Sequence, residues 1–154
     1  MQLISRTAEY ALRAILWLLQ EPARSQTARQ IAAGTRTPPD YTLKVLQLLT
    51  KAGLVRSQRG LGGGFQFASD PAKVSVLEVI NAVDPLERIL ACPLGLKEHA
   101  HKLCPLHRGM DDVAAQMEAT FAQSKLVDLL NTDSASVPLG IKLKPGKPAA
   151  PTGR

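Results

Sequence analysis

Two groups of residues in this 154-residue chain have the types and spacing to do chemistry. The first is the run AGLVRSQRGLGGGFQFASDP, residues 52–71, in which Arg56 and Arg59 stand beside a turn opened by Gly60 and followed by three further glycines. Short apolar strands at 54–55 and 65–68 bracket that turn, so the run reads as a β-hairpin. Glycine lets a hairpin tip lie flat against another surface and take positive φ without steric cost. Arginine beside such a tip suits a narrow, negatively charged groove, and the chemistry implied is contact with duplex DNA. The second group is CPLGLKEHAHKLCPLH, with Cys92 and Cys104 on one loop, His99 and His101 between them, and His107 just after. Two such thiols can close into a disulfide if the loop brings their Cα atoms within reach. His107 can raise the thiolate fraction of Cys104, or it can simply decorate the start of the next helix.

The elements that must position these groups follow from periodicity. Ala8, Ala11, Leu12, Ile15, Leu16 and Leu19 keep helical spacing, with Ser5 or Thr7 as cap. A second helix opens with Thr27 and Gln30 in a capping-box pattern and closes at Gly34. A third takes Thr37 as cap and Pro38 as first helical residue, runs through Leu49 and closes at Gly53. The turn Gly34-Thr35-Arg36 has the length used in helix-turn-helix units. On the third helix Tyr41, Val45, Leu48, Leu49 and Ala52 should face inward, and Asp40, Leu43, Lys44, Gln47 and Lys51 outward. Gln47 and Lys44 are types that read base edges, while Arg36, Thr37 and Lys51 suit phosphates. These would be ordinary exposed residues if they stood alone. Followed at once by an arginine-glycine hairpin, they point to a winged helix-turn-helix.

Beyond the wing, residues 74–83 read as a helix capped by Ser75. A longer helix starts near Pro105, with Met110, Val113, Ala114, Met117 and Phe121 at three- and four-residue steps. Such a stripe on an arm beyond a compact domain buries more often against a second subunit. Ser124 is placed to cap a last turn at 125–130, and the tail from Thr132 is rich in Pro and Gly and should be disordered. The fold class is therefore mainly α with a small β-hairpin wing and a long C-terminal dimerisation helix.

Charge agrees with this map. The net charge is +6, and residues 1–72 carry nine Lys or Arg against four Asp or Glu, so the wing-bearing half holds the positive field a phosphate surface needs. No apolar run approaches the roughly 18 residues needed to span a bilayer, and two cysteines do not make a disulfide scaffold at this length, so the cytoplasm is the expected compartment. GLGGGF follows a turn rather than a strand that opens a helix, so it fails the test for a phosphate loop. No nucleophile–base spacing is present, and the chain does not read as an enzyme. Structured RNA remains an alternative partner for a basic winged helix, although 4% aromatic residues argue against stacking on single strands.

The opening LISRTAEYALRAILWL, the block AGLVRSQRGLGGGFQFASDPAKVSVLEVINAV and the later CPLH resemble the IscR/NsrR-type (Rrf-two) family of bacterial transcription regulators, over residues 1–131. The run RGxGGG with its strand and DP turn is the specific part. The resemblance implies a homodimer of winged-helix domains crossed by a long C-terminal helix. It also implies a repressor of genes for iron–sulfur assembly, nitrosative or redox stress, or cysteine metabolism. Many members hold an iron–sulfur cluster on three loop cysteines. Here Cys92 matches the first and Cys104 the last, while the middle falls on His99, next to Glu98, and the loop is one residue shorter. Glu9 stands where some members supply a carboxylate from the partner's first helix. The resemblance thus implies a two-iron site of Cys92, His99, Cys104 and Glu9, since imidazole can replace thiolate on one iron. The alternatives are a cluster-free regulator with a thiol switch, or one with no sensor.

The expected map is a DNA-binding domain over 1–83, a sensor loop over 84–104, a dimerisation helix over 105–131 and a disordered tail over 132–154. A homodimer would place two recognition helices in successive major grooves of a pseudo-palindromic operator, with the wings in flanking minor grooves. Its contacts would be Arg36, Thr37, Asp40, Leu43, Lys44, Gln47, Lys51, Arg56, Arg59 and Gly60, and its interface Met110, Val113, Met117 and Phe121.

Overall fold

The computed structural model describes residues 3–99, 102–131 and 136–140. Helix α1 (Arg6–Leu18) begins where the Ser5 side chain accepts a hydrogen bond from the Ala8 amide at 3.1 Å. Its buried face, Ala8, Ala11, Ala14, Ile15, Leu16 and Leu18, makes it the central element of the core.

Helix α2 (Ala28–Thr35) opens on the expected capping box. The Gln30 amide donates to the Thr27 hydroxyl and the Thr27 amide donates to the Gln30 side chain. Its end differs from expectation. The helix runs through Gly34, and Arg36 takes the left-handed cap at φ 54°, ψ 46°. Gly34 is needed for packing instead, because a Cβ there would lie 2.2 Å from the Trp17 ring.

Helix α3 (Pro39–Lys51) starts one residue later than expected, with Pro38 as cap and no side-chain cap bond. The Thr37 hydroxyl turns inward, 2.8 Å from that of Thr35, and joins a buried chain that continues to Thr42. This chain explains why the inward face is Thr42, Val45, Leu46 and Leu49. A threonine whose hydroxyl is satisfied packs inward as a small apolar residue, which hydropathy alone does not show. Tyr41 and Leu48 flank that face half-buried, and Ala52 is exposed.

Strands β1 (Val55–Gln58) and β2 (Gly64–Phe67) form the hairpin, antiparallel, with Val55 opposite Phe67 and Gln58 opposite Gly64. On the other side of β2, Gln26 exchanges two backbone hydrogen bonds with Phe65, at 2.9 and 2.7 Å. The Gln26 side chain accepts from Trp17 Nε1 at 2.7 Å. The base of the wing is therefore fixed to the core.

Helix α4 (Val76–Val83) carries the expected cap, Ser75 with Glu78 in a second capping box, and buries Val76, Val79 and Ile80. Among the described residues of 84–104 the chain is irregular apart from a short 3-10 turn, Lys97–His99. Helix α5 (Pro105–Gln123) follows, and none of its residues is buried.

The expected arm over 105–131 ends early. Ser124 is extended, and its hydroxyl donates to Thr120 O at 2.9 Å, closing α5 rather than capping the next helix. The chain then returns to the winged helix. The Val76 amide donates to Ser124 O at 2.8 Å, and the Leu126 amide to Val74 O at 3.0 Å. Helix α6 (Leu126–Leu130) places Leu126, at 0% exposure, in the core of the N-terminal domain. The tail expectation lies outside the described residues except at 136–140, where a 3-10 turn, Pro138–Gly140, sits beside α1. No described helix is long and apolar enough to cross a membrane.

Candidate nucleic-acid interface and cysteine loop

The outer face of α3 is bare. Asp40, Leu43, Lys44, Gln47 and Lys51 are all exposed, as is Arg36 in the turn before the helix. Lys44 Nζ lies 5.8 Å above the Tyr41 ring, a cation–π distance that steadies the side chain without covering it. The Tyr41 hydroxyl is 2.6 Å from that of Thr7, and its ring meets Tyr10 edge to face at 5.6 Å. The first turn of α3 is thus tied to α1 and presented at a fixed angle. Thr37 does not belong to this face. It is 7% exposed and its hydroxyl is spent on the buried chain, so it is withdrawn from the phosphate contacts.

Arg56 and Arg59 differ in what holds them. Arg56 Nε and Nη2 donate to Gln66 Oε1 at 3.0 and 2.7 Å, which lays the guanidinium along the flank of the hairpin. Gln66 in turn donates to the Pro22 carbonyl. Arg59 is exposed and has no hydrogen-bond or ion-pair partner among the described residues. Between the glycines of the tip stands Leu61, fully in solvent. Its place as an apolar residue between two glycines is the sequence signal that the arginines and glycines of the tip overshadow.

The cysteine loop holds two separate thiol–imidazole pairs. Cys92 Sγ lies 3.5 Å from His99 Nδ1, and Cys104 Sγ lies 3.4 Å from His107 Nδ1. Both thiols are free and half-exposed. The Leu96 amide, then the His99 ring and the Leu94 amide, hold the Cys92 thiol below its ordinary value by stabilising the thiolate. His99 and Cys104 line one open cleft with Glu98, Lys102 and Arg108. His101 lies outside the described residues. Glu9 is on α1, paired with Arg13 one turn along the same helix. Among the described residues no three His, Cys, Asp or Glu side chains converge in a way that would hold a metal ion. The donor set Cys92, His99, Cys104 and Glu9 is therefore spread over separate places, and as arranged within one chain it does not fit a two-iron cluster.

A clamp that the sequence did not reveal joins this loop to α5. Arg88 grips Asp111 with two parallel bonds at 2.7 and 2.8 Å and reaches Glu118 at 3.2 Å. The Ile89 amide adds a bond to Asp111 at 2.9 Å. The guanidinium holds the Asp111 carboxyl below the usual carboxylate range. The partners are 23 residues apart, so no local pattern announces them.

Along α5 the expected interface residues divide. Met110 and Val113 are 52% and 62% exposed and, with Leu106 at 67%, which the sequence did not single out, form a bare apolar stripe at helical spacing. Met117 is half-exposed. Phe121 instead packs within the chain, against the cluster of Ala8, Val76 and Ile80.

Comparison with known proteins agrees with this architecture. The profile of the Rrf2 family, described as an iron-dependent transcriptional regulator, matches residues 4–132. An rrf2-like HTH-type transcriptional regulator of Rhodobacter capsulatus is 32% identical over 153 residues, covering 96% of this chain and 97% of that protein. The HTH-type transcriptional regulator NsrR of Bacillus subtilis is 30% identical over 90 residues, 58% of this chain and 62% of its own length. Among solved structures, T. potens IscR superposes with a TM-score of 0.68 at 22% identity, over 84% of this chain and 86% of that one. CymR, the global cysteine regulator of B. subtilis, gives 0.65 at 22% identity, over 84% and 96%. At these identities the two structures bear on the fold alone.

Proposed function

Because this chain belongs to the Rrf2 family of DNA-binding transcriptional regulators, we propose that it acts as a homodimeric repressor whose two reading heads share one two-fold operator. The observation that carries the reading is the bare outer face of α3, followed in the chain by a wing tip whose Arg59 has no partner among the described residues. Lys44 and Gln47 reach base edges in the major groove, Arg36 and Lys51 neutralise phosphates, and Arg59 enters the adjacent minor groove. Asp40 and Leu43 lie beside them on the same face, and Arg56 and Gly60 complete the wing contact.

The dimer reading is supported by the stripe of Leu106, Met110 and Val113, left uncovered on a 19-residue helix of which no residue is fully buried. A helix of that length with an uncovered apolar face gains stability by burying it against a second copy.

The loop over 84–104 is read as the responsive part. Two thiol–imidazole pairs with a low-lying Cys92 support thiol chemistry better than cluster ligation within one chain. Its connection to the dimer helix runs through the Arg88–Asp111 clamp.

Binding of a random-sequence duplex library to the full chain, followed by titration of an enriched duplex at increasing salt, tests the operator reading. Affinity should fall steeply, with log K dropping by roughly 0.9 per phosphate neutralised per tenfold salt. Salt-independent binding would remove the proposal. Iron and acid-labile sulfide assayed on protein purified without oxygen decide the loop reading. We expect neither, and a coloured, iron-loaded protein would show that ligands from two chains combine.

A further inference from the structure

We propose that Leu61 is an apolar wedge that enters the operator's minor groove beside Arg59 and opens one base step there. The inference rests on the DNA reading above and names a specificity residue within it.

Leu61 is 108% exposed, whereas the next most exposed large hydrophobic residue, Leu90, is 84% exposed. No described residue covers it, and the turn geometry holds it out. Its neighbours Gly60 and Gly62 take φ of +93° and +77°, and the Gly63 amide closes the turn onto Gly60 O at 2.9 Å. Those left-handed positions exclude ordinary side chains, so Leu61 is the single side chain at the apex of a closed turn. The support is stiff as well. A Cβ on Gly64 would lie 2.5 Å from the Gln26 carbonyl, so the base of the hairpin is pressed against the segment leading into α2. A side chain held at the end of a braced hairpin is ordered before it binds, which lowers the entropic cost of insertion.

The surroundings select the occupant. Leu61 is ringed by glycine and arginine rather than by an apolar surface, so it does not make the hydrophobic patch a protein partner would need. Arg59, two residues away, is drawn to the negative potential of a narrow minor groove. Between the tip and the start of α2 runs a cleft whose lining includes Ala23, Arg24 and Ser25 and the capping pair Thr27 and Gln30; Arg24, paired with Glu21 on the surface, and Ser25 are types that contact a sugar–phosphate strand. Apolar side chains inserted at such places part the stacked bases, most cheaply at pyrimidine–purine steps.

The test uses the full chain and the duplex it enriches from a random library, with 2-aminopurine placed in turn at adenines under the wing. Wild type and Leu61→Met should raise the fluorescence at one step in each half-site, and the enriched duplexes should carry TA or CA/TG there. Leu61→Ala should bind roughly tenfold more weakly, as expected for losing a buried leucine, and should give no fluorescence rise. It should also cease to distinguish a flexible step from a stiff one. Its melting temperature should match wild type, since the residue packs against nothing. Unchanged affinity of Leu61→Ala, or no unstacking signal from tightly bound wild type, would overturn the wedge and leave operator binding intact. Failure of wild type to enrich any duplex would remove the DNA reading and the wedge together.

Discussion

Arg36 sits in the left-handed region at the turn between α2 and α3, a conformation that costs a side-chain-bearing residue about 1–2 kcal/mol. Strain of this kind persists where surrounding structure over-determines it, often at functional sites. Arg36→Gly should therefore raise stability by up to about 1 kcal/mol in a thermal melt while weakening DNA binding. Arg36→Ala keeps the strain and loses only the charge, so it should weaken binding with no gain in melting temperature. Cys92 yields a second outcome at this scale. Its folded pKa lies below the ordinary thiol value because the Leu96 amide and His99 favour the thiolate. The Cys92 thiolate therefore appears at lower pH than an ordinary cysteine thiolate. The pH dependence of Cys92 labelling by iodoacetamide, read by peptide mass, should lie below that of a free cysteine, and His99→Ala should move it upward. A Cys92 profile that matches free cysteine would contradict the geometry.

Helix α4 depends on its first turn. Ser75 and Glu78 satisfy each other's backbone amides, and those bonds hold the Glu78 carboxyl below its usual value. Ser75→Ala should cost about 1 kcal/mol in urea denaturation. A depressed carboxylate contributes stability above its unfolded pKa and loses it as pH falls through the folded value. Ser75→Ala keeps the amide that gives Glu78 its larger hold and loses the hydroxyl's share, so the gap between wild type and Ser75→Ala should narrow modestly on acidification, and a gap that widens would contradict the hydroxyl's bond to Glu78. The clamp on α5 obeys the same sign, since Asp111 is also held down by Arg88. Arg88→Ala should speed hydrogen exchange at Ile89, whose amide loses its ordered acceptor, while leaving the amides of α3 protected.

At the scale of the whole molecule, the proposed dimer interface and the monomer core draw on different faces of α5. Met110→Lys or Val113→Glu should bury an unpaired charge in the proposed interface and yield monomers by light scattering, with operator affinity falling as the second reading head is lost. Phe121→Ala acts elsewhere. Its ring packs on Ala8, Val76 and Ile80, so the substitution should lower the melting temperature of the domain and leave the oligomeric state in place. A wild-type chain monomeric at micromolar concentration would defeat the dimer reading. The split between these variants separates an interface residue from a core residue on one helix.

Sequence alone determined what local chemistry dictates. The capping residues Thr27 and Ser75, the start of α1 at Ser5 or Thr7, the hairpin from its glycines and flanking apolar pairs, and the polar outer face of α3 were all legible, because each is set by residues close by in sequence. The family motif in the wing was legible for the same reason. Tertiary structure alone decided which residues a distant partner claims. Thr37 and Thr42 turn inward because their hydroxyls find each other, and Gly34 is set by Trp17 rather than by a helix end. Leu126 leaves the expected arm because the backbone of residues 74–76 accepts and donates to it and to Ser124. Phe121 turns to the chain's own core, and Arg88 finds Asp111 across 23 residues. In each case the deciding energy is packing or a hydrogen bond between positions far apart in sequence. A periodicity records only that a residue is apolar or polar, and cannot say against what it will be satisfied.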